Sequence, residues 1–255
     1  MRFGIPLERA LCRRLGGFSE MSDTPRNEPE YCRAEAYRYF VDQLPRLATT
    51  KGLLHAAIGL SMHALDDVDP QKVEHRLQVL ADRVRTRAPS GSADALVAHL
   101  HQVLFAEEGF AGDTERYYVA VNSYVSVVLD TKRGLPISLA LIYKVVGELA
   151  GLTIEGINAP GHFLARVRCA NDWMIVDPFF CGEPLTGEEA YQRMVKASQV
   201  EFPFQESYLA GTTHAQWISR MLKNLQSLFT SEGRLHDRAA MKELRHALRD
   251  AASVD

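Results

Sequence analysis

Hydrophobic positions in the first hundred residues recur at intervals of three and four. Tyr37, Phe40, Val41 and Leu44 share one face of a helix within residues 31–47. Residues 53–65 are apolar almost all round and give a second helix. Asp69 followed by Pro70 is an N-cap and first-turn pair, and it opens a third helix whose buried stripe is Val73, Leu77, Leu80 and Val84. The run Ala-Pro-Ser-Gly-Ser at 88–92 is a loop by composition, and Ser92 caps a fourth helix reaching Leu104. This half of the sequence reads as a helical layer.

The pattern then changes. Gly109 and Gly112 break the helix, Asn122 or Ser123 caps another with Tyr124, Val125, Val128 and Leu129 inward, and Gly134 is its left-handed stop. Residues 137–149 leave almost no polar face, which predicts a buried central helix ended by Gly151. Strands follow at 154–158, 162–168 and 173–177, the last two an antiparallel pair across a short Asn-Asp turn. Side chains alternate along a strand, so an even-numbered loop puts His162 and Asp177 on one face, opposite or one pair offset. A turn at 181–184 leads to a helix from Thr186 or Gly187 to Val195, and residues 198–211 form a linker whose Phe202, Phe204 and Tyr208 pin it to the body. Two final helices, 214–230 and 235–252, form one helical hairpin that must dock to bury its apolar face.

The expected fold class is therefore α+β: a central helix on a small antiparallel sheet, with an N-terminal helical layer and a C-terminal hairpin shaped like a truncated helical repeat. The expected divisions are a leader at 1–30, a main domain at 31–197, the linker at 198–211 and the hairpin at 212–255.

Composition narrows the function. Of 255 residues, 46% are hydrophobic and 24% charged, with a net charge of -3. That balance gives no general reason to expect nucleic acid or an anionic membrane as partner, and no run reaches the length of a membrane span. The four cysteines, Cys12, Cys32, Cys169 and Cys181, lack C-x-x-C spacing and read as reduced thiols of a cytoplasmic protein. His99 and His101 stand two apart on a helix and face different ways, so they read as surface histidines, not a metal pair. With no phosphate-binding glycine loop either, no metal or cofactor is expected.

Candidate chemistry gathers between 133 and 177. Ser138 at the start of the central helix, His162 at a strand start and Asp177 at a strand end supply a hydroxyl, an imidazole and a carboxylate in that order. Cys181 and Cys169 are weaker nucleophile candidates, because neither sits at a helix N-terminus. Tyr117, Tyr118 and Tyr124 read as packing residues, with a tyrosine able to line a cleft. Lys132 and Arg133 read as solvated helix-end charges.

The segments Leu104-Phe-Ala-Glu-Glu-Gly-Phe, Asn122-Ser-Tyr, Arg133-Gly-Leu-Pro-Ile-Ser-Leu, Pro160-Gly-His-Phe-Leu and Val176-Asp-Pro-Phe resemble, in order and spacing, the SirB-type branch of the transglutaminase-like superfamily. The resemblance covers roughly residues 50 to 250 and implies a papain-like α+β fold with a cysteine, histidine, aspartate triad. Carried over by position, the triad becomes Ser138, His162 and Asp177, with serine where the superfamily pattern has cysteine. A hydroxyl is far harder to ionise than a thiol, and needs concerted proton removal and an aimed oxyanion hole. Two readings follow. One is a non-catalytic descendant that binds an unknown protein partner; the other is an acyl-transfer enzyme of amide or peptide hydrolase type.

Overall fold

A computed structural model describes residues 28–170 and 172–252. The leader at 1–30, including Cys12, falls almost wholly outside the described residues. The helical layer consists of α1 (Ala34–Val41), α2 (Thr50–Ala64), α3 (Pro70–Arg87) and α4 (Ala93–His101). The Asp69 carboxylate accepts the N–H groups of Gln71 at 2.9 Å and Lys72 at 3.3 Å, so the third helix starts as its sequence dictates. α4 does not run smoothly to Leu104. It widens into a π-helical turn, Gln102–Glu107, with Glu108 N–H bonded to the Val103 carbonyl at 3.0 Å.

The next elements fix how the backbone enters its central helix. β1 (Ala111–Gly112) pairs in parallel with β2 (Arg133–Gly134), with α5 (Val125–Thr131) between them. The cap expected at Asn122 or Ser123 is not made: Tyr124 is the N-cap residue of α5 and supplies no side-chain bond. Asn122 instead donates from Nδ2 to Asp113 Oδ2 at 3.2 Å and to the Arg116 carbonyl at 2.7 Å. Gly134 is not the helix stop either. Lys132 takes the left-handed conformation at φ 59°, which frees Gly134 for the β1–β2 pair.

α6 (Pro136–Ala150) is the buried centre, and Gly151 ends it at φ 112°. It packs on a four-stranded antiparallel sheet of β3 (Ile154–Ile157), β4 (Leu164–Cys169), β5 (Asp172–Asp177) and β6 (Glu183–Leu185), in that order. β6 was expected as part of a turn; it is a short edge strand, a position that tolerates its Pro184. α7 (Gly187–Ser198) begins with a capping box between Thr186 and Glu189. It covers the sheet face that carries Ile157, Leu164 and Ile175, and Phe202 and Tyr208 of the following strip pack there too.

α8 (His214–Ser231) and α9 (Leu235–Ala252) form the C-terminal hairpin, and their buried residues belong to the main core. Trp217 of α8 is fully buried with its ring 4.5 Å from that of Phe163, over Gly156, where any added Cβ would collide with the indole. α9 is tied to α2: His63 donates from Nε2 to Asp237 Oδ1 at 3.0 Å, while its Nδ1 accepts the Arg33 N–H at 3.3 Å. Glu243 of α9 also accepts the backbone N–H groups of Glu30, Tyr31 and Cys32. No helix among the described residues is long and apolar enough to cross a membrane.

Two outcomes follow from this packing. Trp217→Ala empties a large buried site and lowers stability by about 3–5 kcal/mol; because the hairpin shares the main core, chemical denaturation followed by circular dichroism and by fluorescence should show one coincident transition. The His63 ring is held neutral, and burial lowers its pKa against the pull of Asp237, with His236 and Arg33 adding to the lowering. A lowered folded-state value means that the unfolded state binds the proton more readily. This contribution is therefore complete above the unfolded value of about 6.5 and is lost as pH falls below it. In denaturant titrations between pH 5 and 7, roughly that window, His63→Gln should be less stable than the parent at neutral pH but show a shallower decline on acidification.

Candidate functional site

His162 was expected to begin a strand but lies in the turn that precedes β4, and its N–H bonds the Ala159 carbonyl at 3.3 Å. The β4–β5 register pairs Cys169 with Asp172, so the connection has two residues. Extending that register sets Asp177 opposite Leu164 and one pair away from His162. The even loop thus brings the two together, and His162 Nε2–H donates to Asp177 Oδ2 at 2.9 Å. The bond leaves Nδ1 as the ring nitrogen free to act as a base.

Asp177 is fully buried and its carboxylate is satisfied by three groups. Besides His162, Arg193 of α7 donates from Nη1 to Oδ2 at 3.1 Å, and the Phe179 N–H donates to Oδ1 at 3.0 Å. Arg193 also pairs with Glu183 and lies 4.0 Å from the centre of the Phe180 ring. Its sequence signal was slight: Arg193 stands beside Met194 at the edge of the α7 stripe that buries Ala190 and Met194.

Ser138 occupies the third position of α6. Leu135 is the N-cap residue, and this helix has no side-chain cap. The Ser138 hydroxyl is fully buried, and its Oγ makes no hydrogen bond with any described residue, His162 included. Two of the three sequence-derived site residues are therefore joined by a hydrogen bond, and the third is not bonded to them.

A row of aromatic rings covers the pair. Phe179 packs edge-on to His162 at 6.0 Å, Phe180 lies 5.2 Å from Phe179, and Tyr117 lies 5.8 Å from Phe179 on its other side. Tyr118 is 82% exposed, whereas Tyr124 is buried in the core. Burial pushes the Tyr117 hydroxyl pKa up, with the Tyr118 hydroxyl adding to the rise, the Arg220 charge pulling it back and Asp177 raising it further. The loop after Asp177 turns through Cys181 at φ 54° and Gly182 at φ 74°, and the Phe105 ring fills the space that a Gly182 Cβ would need. Phe105 sits there because the π-helical turn carries it.

Several residues differ from their expected roles. Lys132 is paired with Glu108 at 2.8 Å and lies over the Phe110 ring, so it is not a solvated helix-end charge. His101 is half-buried and bonded to the Tyr143 hydroxyl at 2.8 Å, so it is not a surface histidine. Cys169 is half-buried, and burial raises its thiol pKa, with Asp94 adding to the rise. Among the described residues no group of three or more His, Cys, Asp or Glu side chains is placed to hold a metal ion.

A family model described as the transglutaminase-like superfamily matches residues 71–223, more than half of the sequence and all of the site. The UPF0162 protein of Xylella fastidiosa (strain 9a5c) is 30% identical over 195 residues, covering 75% of this protein and 69% of the relative. The UPF0162 protein of Pseudomonas aeruginosa is 25% identical over 199 residues, covering 77% and 71%. Mouse F-box only protein 21 is 34% identical over 144 residues, which is 52% of the present sequence but 22% of that protein. No solved structure matches. The order and spacing of the five sequence segments, the family match and these relatives agree: the chain belongs to the SirB-type family of the transglutaminase-like superfamily.

Proposed function

We propose that this protein is a non-catalytic member of its superfamily, a binding module that uses the inherited site surface to hold a peptide segment of a protein partner. The observation that carries this reading is the state of Ser138. A hydroxyl nucleophile needs a base within hydrogen-bond reach and an approach for the substrate carbonyl. The Ser138 Oγ is enclosed and has no hydrogen-bond partner among the described residues, while His162 and Asp177 are buried and Phe179 packs edge-on against His162. Asp177 is moreover shared with Arg193, so its carboxylate is not dedicated to the imidazole. A match that spans 22% of F-box only protein 21 is in keeping with a domain used as one component of longer proteins. The three free cysteines among the described residues fit a reducing compartment such as the cytoplasm.

One observation favours the alternative, an amide- or peptide-directed acyl-transfer enzyme with Ser138 as nucleophile, His162 as general base and Asp177 as its orienting partner. The His162–Asp177 bond is intact at 2.9 Å and leaves Nδ1 available. Backbone N–H groups at the start of α6 would be natural donors to an oxyanion.

Intact mass spectrometry after exposure to fluorophosphonate and acylating probes separates the two readings. The binding-module reading expects no adduct on Ser138; an adduct lost in both Ser138→Ala and His162→Ala would establish the enzyme. Thermodynamics gives a second test. Removing a buried hydroxyl that has no partner relieves a desolvation cost, so Ser138→Ala should leave stability unchanged or raise it by about 1 kcal/mol in denaturant titrations. A serine engaged with His162 would instead lose stability on the same change.

A further inference from the structure

Most half-buried arginines among the described residues are paired with carboxylates. Arg193 bonds Asp177 and Glu183, Arg166 bonds Glu155, and Arg83 bonds Glu107 and Glu108. Arg245 of α9 bonds only Gln226 among the described residues, and Arg220, on α8, likewise has only neutral oxygens there as hydrogen-bond partners. Its Nη1 donates to Asn158 Oδ1 at 2.9 Å and to the Ala159 carbonyl at 3.4 Å, and its Nε donates to Asn224 Oδ1 at 3.3 Å. Nη2 has no hydrogen-bond partner among the described residues. A guanidinium drawn out of water without an opposite charge is costly, and an anion that reaches it relieves the cost.

Its place in the fold gives this charge a role. The Ala159 carbonyl that Arg220 holds also accepts the His162 N–H at 3.3 Å, so the guanidinium is one peptide group removed from the imidazole-bearing turn. Tyr117 reaches the same turn through ring contacts: its ring packs on Phe179, which packs on His162. The Tyr117 hydroxyl makes no hydrogen bond among the described residues, although the Arg220 charge acts on it. Arg220 Nη2 and the Tyr117 hydroxyl are thus a charged and a neutral donor at the edge of the site that have no acceptor among the described residues. The C-terminal hairpin supplies the charged one, and the segment between β1 and α5 supplies the other.

We propose that Arg220 and Tyr117 form a carboxylate-binding subsite beside His162, which takes an acidic residue or the terminal carboxylate of a bound peptide. A carboxylate has two oxygens, one for the Nη2–H of Arg220 and one for the Tyr117 hydroxyl, and it supplies the charge that Arg220 lacks. This assignment rests on the reading of the site as a peptide-binding surface, and it gives the C-terminal hairpin a part in recognition.

The test uses the full-length protein, immobilised, and pooled random octapeptides in four forms: with free or amidated C-termini, each with or without Asp and Glu. Retention is read by mass spectrometry of the eluate. Pools that carry a carboxylate should be retained about tenfold or more above the amidated, acid-free pool, the factor expected for a charge-assisted hydrogen bond. Comparison of the free-terminus and acidic pools identifies the source of the carboxylate. Arg220→Gln should abolish the difference and Arg220→Lys should restore part of it. Tyr117→Phe, which leaves the Ala159 contact intact, should reduce it with the melting temperature unchanged.

Equal retention of all four pools, retention of none, or a carboxylate preference that survives both Arg220→Gln and Tyr117→Phe would overturn the assignment. Carboxylate-dependent retention accompanied by peptide cleavage would keep the subsite and replace the non-catalytic reading. Carboxylate-independent retention without cleavage would do the reverse.

Discussion

The site depends on how one buried carboxylate is satisfied. Asp177 has no access to water, so each of its oxygens must find donors within the protein. It finds an imidazole from the turn before β4, a guanidinium from α7 and the Phe179 N–H of its own following turn. Those three bonds tie together the sheet, the helix on its outer face and the aromatic loop that covers His162. Loss of any one donor would leave charge density buried without compensation, a far larger cost than loss of an exposed ion pair. The His162–Asp177 contact is therefore explained by structure alone, and its presence does not by itself argue for catalysis.

α6 supplies the opposite constraint. Its first turn is set by backbone bonds: Asp113 N–H to the Gly134 carbonyl at 3.2 Å, and Leu135 N–H to the Asn122 carbonyl at 3.0 Å. Leu139, Ile142 and Val146 bury it in the core. A helix fixed at its start and packed all round has little freedom to turn a residue outward. The Ser138 hydroxyl within it is fully buried, with no hydrogen-bond partner among the described residues.

Much of this was legible in the sequence. Helical spacing found α3 and its buried stripe, and Asp69-Pro70 marked its start, because caps and periodicity are local signals. The His162–Asp177 pairing was legible for a similar reason: strand alternation and a countable loop determine a face. What could not be read was whatever arrives from distant segments. Arg193 and Arg220 come from α7 and α8, and nothing local to His162 announces them. β6 was hidden by Pro184, which reads as a turn residue and is tolerated only because the strand lies at an edge. Gly134 was assigned the left-handed stop that Lys132 occupies, since glycine's freedom also suits the close approach to Val128 that the β1–β2 pair requires. The direction of the Ser138 hydroxyl was beyond any pattern.

The central claim is that His162 answers to Asp177 and not to Ser138. Imidazole nitrogen chemical shifts measure this directly, because they report which ring nitrogen carries the proton and what the other one touches. The wild-type protein should show the Nε2–H tautomer, with an Nδ1 shift that is the same in Ser138→Ala. A Nδ1 shift that moves when the serine hydroxyl is removed would mean that the hydroxyl bonds the imidazole, and would contradict the account.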